Sequence, residues 1–124
     1  MDGSAIFNFV QTEVPPLIES LLARAGASVD SIYYFLCHQP NRFMLQKLAD
    51  KMKIPYAKMP NNVVEKYGNS SGATIPMALV SNLAEKAKTG TLQVCLTGFG
   101  AGLAWGAMLL PLRKLAFCEM VEYP

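Results

Sequence analysis

At 124 residues the chain is long enough for one domain and no more. A composition of 52% hydrophobic and 16% charged residues supplies a core and excludes a disordered polymer. The formal charge of +2 comes from scattered basic residues, which excludes the concentrated basic face of a nucleic-acid module. The longest apolar run, 99–112, is broken by glycines and a proline, so no transmembrane helix is expected. Residues 1–10 carry Asp2 and no basic start, unlike a signal peptide. These features predict a cytoplasmic protein without a membrane partner.

The first element is a helix capped by Asp2 or Ser4, with Phe7 and Val10 on one face. Pro15 and Pro16 interrupt it, so the helix kinks near Val14 or a new one starts at Pro15. Leu17, Ile18, Leu21, Leu22 and Ala25 continue at helical spacing, and Gly26 is a natural stop. Residues 32–37, Ile-Tyr-Tyr-Phe-Leu-Cys, read as a strand buried on both faces, as in a parallel sheet covered by helices. Asn41 opens a second helix with Phe43, Met44, Leu45, Leu48, Ala49 and Met52 inside, and Ile54-Pro55 ends it.

Val63-Val64 suggests a short strand. After a polar loop, Ser70 or Ser71 is the expected cap of a third helix that ends at Thr89-Gly90. Residues 92–97 read as a strand, 98–102 as a glycine-rich turn, and 103–112 as a strand paired back on the previous one. The tail beyond could add a short edge strand. Helices alternating with strands in this order predict an α/β layered unit, a mixed sheet covered by helices.

The three cysteines, Cys37, Cys95 and Cys118, are odd in number and have no Cys-x-x-Cys spacing. Neither a disulfide framework nor a metal site is expected. Cys37 and Cys95 lie in apolar runs and read as buried thiols, whereas Cys118, between Phe117 and Glu119, is expected to be exposed.

Three polar features stand at strand ends or in loops: His38, the only histidine, then Asn69, then the glycine turn around Ala101. A neutral imidazole and a carboxamide can each donate a hydrogen bond. Two such donors aimed at one point would stabilise a carbonyl oxygen as it becomes an enolate. A Gly-x-Gly-x-Gly after a strand could suggest a dinucleotide site, but a strand follows where that site needs a helix. The residues by themselves leave the reaction open.

Three ordered motifs narrow it. His38-Gln39-Pro40-Asn41 resembles the His-Gln-Ala-Asn motif of the β-ketoacyl-acyl carrier protein synthase III family, thiolase-like condensing enzymes. Residues 67–76 contain Gly68-Asn69-Ser70-Ser71 and end on Ile75-Pro76, similar to the family's Gly-Asn-Thr-Ser-Ala-Ala-Ser-Ile-Pro. Gly98-Phe99-Gly100-Ala101-Gly102-Leu103-Ala104-Trp105-Gly106 resembles its Gly-Phe-Gly-Gly-Gly-x-x-Trp-Gly turn. Met1-Asp2-Gly3 resembles the family's entry into its C-terminal half.

The resemblance implies a thiolase-like half, residues 1–124, and a decarboxylative Claisen condensation without a cofactor. Acyl-CoA and malonyl-acyl carrier protein are the implied substrates. His38 and Asn69 take the place of the family's catalytic donors to the malonyl thioester carbonyl. Ala101 takes the place whose backbone N–H lines the acyl oxyanion hole, and Phe99 that of an aromatic residue beside the catalytic groups. Asn41 and Arg42 fall where the family contacts substrate. The family's usual arginine falls one position later, where this chain has Phe43, and one residue on a helix turns a side chain by about 100°.

The family's nucleophilic cysteine lies in its N-terminal half, and none of Cys37, Cys95 or Cys118 matches it. The expectation is therefore a C-terminal piece of a longer acyltransferase, inactive alone. Its partners would be the missing half, acyl carrier protein and a coenzyme A thioester, within a homodimer. The competing reading is a non-catalytic binding or scaffolding module that pairs through the exposed face.

Overall fold

The structure is a computed structural model that describes residues 2–124. A three-stranded mixed sheet separates two helical layers. Its strands are β1 (Tyr34–Cys37), β2 (Thr91–Gly100) and β3 (Ala104–Arg113), in that order across the sheet. β1 runs parallel to β2, with Cys37 opposite Thr97, and β3 returns antiparallel, with Phe99 opposite Trp105.

Strand side chains alternate between faces. Phe35 and Cys37 of β1 join Cys95 and Phe99 of β2 in one core, beneath α1 (Gly3–Arg24) and α2 (Arg42–Met52). Leu36, Leu92 and Val94 face the other way and pack with Ala78, Leu83 and Ala87 of α4 (Thr74–Thr89). Of the expected strand 32–37, only Tyr34–Cys37 pairs as strand; Ile32 and Phe35 to Cys37 are buried, Tyr34 is half-buried and Tyr33 stays exposed.

The first helix runs as one element through both prolines. Asp2 Oδ1 accepts from the N–H groups of Ser4 and Ala5, and Val10, Val14, Ile18 and Leu22 form a fully buried stripe at i+4 spacing. A proline ring has no N–H, so Pro15 and Pro16 leave the carbonyls of Gln11 and Thr12 without helical partners. The Lys51 ammonium of α2 donates to the Gln11 carbonyl at 2.6 Å, and Thr12 lies exposed to water. The Gln11 side chain in turn donates to the Met44 carbonyl at 3.1 Å. The second helix therefore repairs the break, and no new helix is needed at Pro15. Gly26, at φ +63°, closes α1 in the left-handed conformation.

Asn41 caps α2 as expected, its Oδ1 accepting from Met44 N–H at 2.7 Å. Three other expectations are corrected. Val63 and Val64 do not form a strand; α3 (Val64–Tyr67) is a single helical turn, and the Val63 carbonyl accepts from Tyr67 N–H at 2.8 Å. A two-residue strand has no ladder here, since the sheet contains only the three longer strands among the described residues. Neither Ser70 nor Ser71 caps α4: a 3₁₀ turn, Ser71–Ala73, leads into it and Ala73 stands at the cap without a side-chain bond. The glycine-rich stretch is mostly strand, with β2 running to Gly100 and the turn confined to 101–103.

The tail forms no edge strand. Lys114 N–H bonds to the Gly90 carbonyl at 3.0 Å and Leu115 N–H to the Ala87 carbonyl at 2.8 Å, so the chain folds back over the end of α4. That path buries Cys118 to 4% exposure, against the expectation of an exposed thiol.

Candidate active site

The site lies where β1 and β2 end, between the loop leading into α4 and the β2–β3 hairpin. One cleft of about 890 Å³ is lined by His38, Asn41, Asn69, Thr74, Phe99 and Ala101, among others. Residues from four separate stretches of the chain meet there.

His38 follows directly on β1. Its backbone N–H donates to the Thr97 carbonyl at 2.9 Å, so the parallel pairing of the sheet fixes its position. The ring is half-buried, meets the edge of Phe99 with centroids 5.5 Å apart, and places Nδ1 2.6 Å from Thr74 Oγ1. Among the described residues no side-chain partner is found for Nε2. The next residue, Gln39, is buried and donates from Nε2 to the carbonyls of Cys37 at 2.9 Å and Pro60 at 3.0 Å. It clamps the turn that carries the histidine.

Asn69 is exposed and lines the cleft. Its Oδ1 accepts from Ser71 N–H at 2.9 Å. Because a backbone N–H can pair only with the oxygen, the amide orientation is set and the Nδ2 donors stay free. Ser71 makes this possible by adopting φ +55°, a left-handed conformation unusual for a residue with a side chain. The Asn69 loop thus stores local strain at the cleft.

At the hairpin, Ala101 is absent from the positive-φ residues, so alanine is unstrained where the resembling motif has glycine. The demand falls on Gly102 instead. Its φ is +138°, and a Cβ there would come within 3.2 Å of the Ala104 nitrogen.

Asn41 lines the cleft, but its side-chain oxygen is committed to capping α2. Arg42 is not in the cleft lining; its guanidinium pairs with Glu65 at 2.6 Å, both side chains largely exposed. Phe43, expected inside α2, is instead exposed and stacks on Phe7 of α1, centroids 5.7 Å apart. Sequence reasoning missed two residues here, Thr74 and Gln39. Both lie inside the quoted motifs, so their positions carried a signal, but only their contacts reveal what they hold.

Burial lowers the His38 pKa below the ordinary 6.5, partly offset by the Ser71 carbonyl, which favours the protonated ring. The imidazole is therefore neutral at pH 7. Below pH 6.5 the unfolded chain binds this proton more readily than the folded one. The stability tied to a neutral His38 is thus present above 6.5 and lost as pH falls through the lowered folded value. Denaturant midpoints should be flat near neutrality and fall before the carboxylates titrate at about 4. His38→Gln should remove that early slope; an unchanged slope would assign it to another group.

The cysteines are poor nucleophiles. Burial, then repulsion from Cys95, pushes the Cys37 thiol to about 12 against the Thr97 hydrogen bond, and burial raises Cys95 as well. Among the described residues no cluster of three His, Cys, Asp or Glu side chains is placed to hold a metal ion, and no helix is long and apolar enough to cross a membrane.

The fold is of the thiolase-like α/β kind. It superposes on the crystal structure of a 3-oxoacyl-(acyl-carrier protein) synthase from Burkholderia xenovorans LB400 with a TM-score of 0.94 and 40% identity, covering 99% of this chain and 35% of that one. Residues 22–112 match the profile described as 3-oxoacyl-[acyl-carrier-protein] synthase III C terminal, and the chain belongs to that family. The β-ketoacyl-[acyl-carrier-protein] synthase III of Porphyra umbilicalis is 40% identical over 110 residues, 89% of this chain and 33% of its own length. That of Streptococcus pyogenes serotype M2 is 41% identical over 113 residues, 89% of this chain and 34% of its own. The chain therefore spans about a third of the length of the curated relatives it matches.

Proposed function

We propose that this chain is the decarboxylating part of a 3-oxoacyl-acyl carrier protein synthase III, an acyltransferase of fatty-acid or related acyl-chain synthesis. One observation carries the reading. His38 and Asn69 line the same cleft, each with one hydrogen-bonding atom tied to the protein, Nδ1 to Thr74 and Oδ1 to Ser71. Nε2 and Nδ2 are what remain to meet a substrate oxygen.

In this reading malonyl-acyl carrier protein enters with its thioester carbonyl between those two nitrogens. The carbon–carboxylate bond breaks, carbon dioxide leaves, and the electron pair moves onto the thioester oxygen as an enolate. Two neutral donors stabilise that charge without being neutralised by it. The enolate carbon then attacks an acyl group held as a cysteine thioester, derived from acyl-CoA. The Ala101 N–H stabilises the resulting oxyanion, whose collapse releases the cysteine thiolate and the 3-oxoacyl product.

In this reading the cysteine belongs to residues outside this chain: none of Cys37, Cys95 and Cys118 lines the cleft, and burial raises the pKa of all three. Phe99 meets the His38 ring edge-on, Asn41 lines the cleft, and Arg42, next to it in the chain, has its charge balanced by Glu65. No cofactor is required by these steps. The exposed Leu103, Trp105 and Met108 would be covered by the cysteine-bearing half. The assembled enzyme would be a cytoplasmic homodimer.

The test is reconstitution. Purified alone, the chain should show no acyl transfer from acyl-CoA to malonyl-acyl carrier protein. Mixed or fused with a cysteine-bearing synthase half it should regain condensation. Turnover by the chain alone, or a folded assembly that binds both substrates and never condenses them, would overturn the proposal.

A further inference from the structure

The Thr74 hydroxyl has more hydrogen-bonding neighbours than it has protons. Gln39 N–H donates to Oγ1 at 3.2 Å, the Ser71 carbonyl lies 3.0 Å away, and His38 Nδ1 lies 2.6 Å away. The side chain is fully buried, so solvent does not compete for these bonds. A hydroxyl offers one proton and two lone pairs, and Gln39 occupies one lone pair. The proton goes either to the Ser71 carbonyl or to Nδ1.

The choice decides the chemistry of the cleft. If the proton goes to Ser71, Nδ1 must carry hydrogen and donate to the remaining lone pair, and Nε2 presents a bare lone pair. If it goes to Nδ1, the ring proton sits on Nε2, which then donates. The two arrangements have the same net charge and the same heavy-atom positions.

We propose that Thr74 is a positioning residue that sets the tautomer of His38, its hydroxyl donating to Nδ1 so that Nε2 carries the proton. The 2.6 Å separation is short for an N–H donor and ordinary for an O–H donor, whereas the Ser71 carbonyl stands at the longer 3.0 Å. β-Branching at Thr74 restricts χ1 and helps hold the hydroxyl on the histidine side. The Ser71 carbonyl, which also faces the His38 ring, would accept from Nδ1 once the hydroxyl is lost. This deepens the proposed function, which needs a neutral donor at Nε2, but it concerns the ring alone.

The chain has a single histidine, so histidine ring ¹⁵N labelling gives one pair of nitrogens, and long-range proton–nitrogen correlation reports which is protonated. The chain as given and Thr74→Ser should both show a protonated Nε2. Thr74→Val, which keeps the shape without the hydroxyl, should shift the tautomer ratio at least tenfold toward protonated Nδ1. A protonated Nδ1 in the unsubstituted chain, which needs no variant to fold, would overturn the assignment. So would a folded Thr74→Val with the original ratio. A tautomer that follows Thr74 supports the assignment whether or not the assembled protein condenses thioesters, so the two readings fail separately.

Discussion

Asn69→Ala in the assembled synthase is expected to slow malonyl-thioester decarboxylation by about 10²–10³-fold, the usual loss when one oxyanion donor is removed. His38→Ala should lose a similar factor. The two nitrogens would act on one developing charge, so the double variant should fall short of the product of the single losses. Acylation of the cysteine by acyl-CoA should survive Asn69→Ala better than decarboxylation does, because the proposed role of Asn69 lies on the malonyl side. Release of labelled carbon dioxide, measured apart from acyl-enzyme formation, separates the two steps. Unchanged decarboxylation in both folded variants would remove the donor pair from the mechanism.

The second large effect is on the fold that positions those donors. Phe35 is completely buried between the sheet and the layer formed by α1 and α2, and lies opposite Cys95 three residues before His38. Phe35→Ala should destabilise the chain by about 3–5 kcal/mol, the combined loss of buried apolar surface and the cavity left behind. Against a total of about 5–15 kcal/mol for an ordinary domain, that is a large share. Denaturant unfolding should show a lower midpoint at constant slope. A loss below about 1 kcal/mol would mean that the site collapses around the smaller side chain or that this core is loosely packed.

Arg42 follows the cleft-lining Asn41 in the chain but is not itself among the residues lining the cleft. The family's usual arginine would fall one position later, where this chain has Phe43. The structure pairs Arg42 with Glu65, 23 residues away, and puts the aromatic stack of Phe7 and Phe43 beside it. An exposed ion pair of this kind contributes little stability. Its consequence here is local: the guanidinium is already engaged by a carboxylate.

What the sequence determined by itself was much of what depends on neighbours within about one helical turn. The caps at Asp2 and Asn41, the buried stripe of α1 on either side of its prolines, the apolar run of β1 and, apart from residues 63–64, the order of helices and strands follow from local spacing. The three motifs likewise put His38, Asn69 and the hairpin around Ala101 in view before any geometry was known. Tertiary structure decided what depends on residues far apart in the chain. Lys51 reaches back 40 residues to satisfy the carbonyl opened by Pro15, and Thr74 reaches back 36 to hold the His38 ring. The same applies to the tail over α4 that hides Cys118. Local spacing misled at Val63, where a turn takes the place of a strand, and at Ser70 and Ser71, which do not cap α4. A backbone carbonyl or an imidazole nitrogen accepts whichever donor folding brings within 3 Å, and spacing along the chain does not encode that encounter.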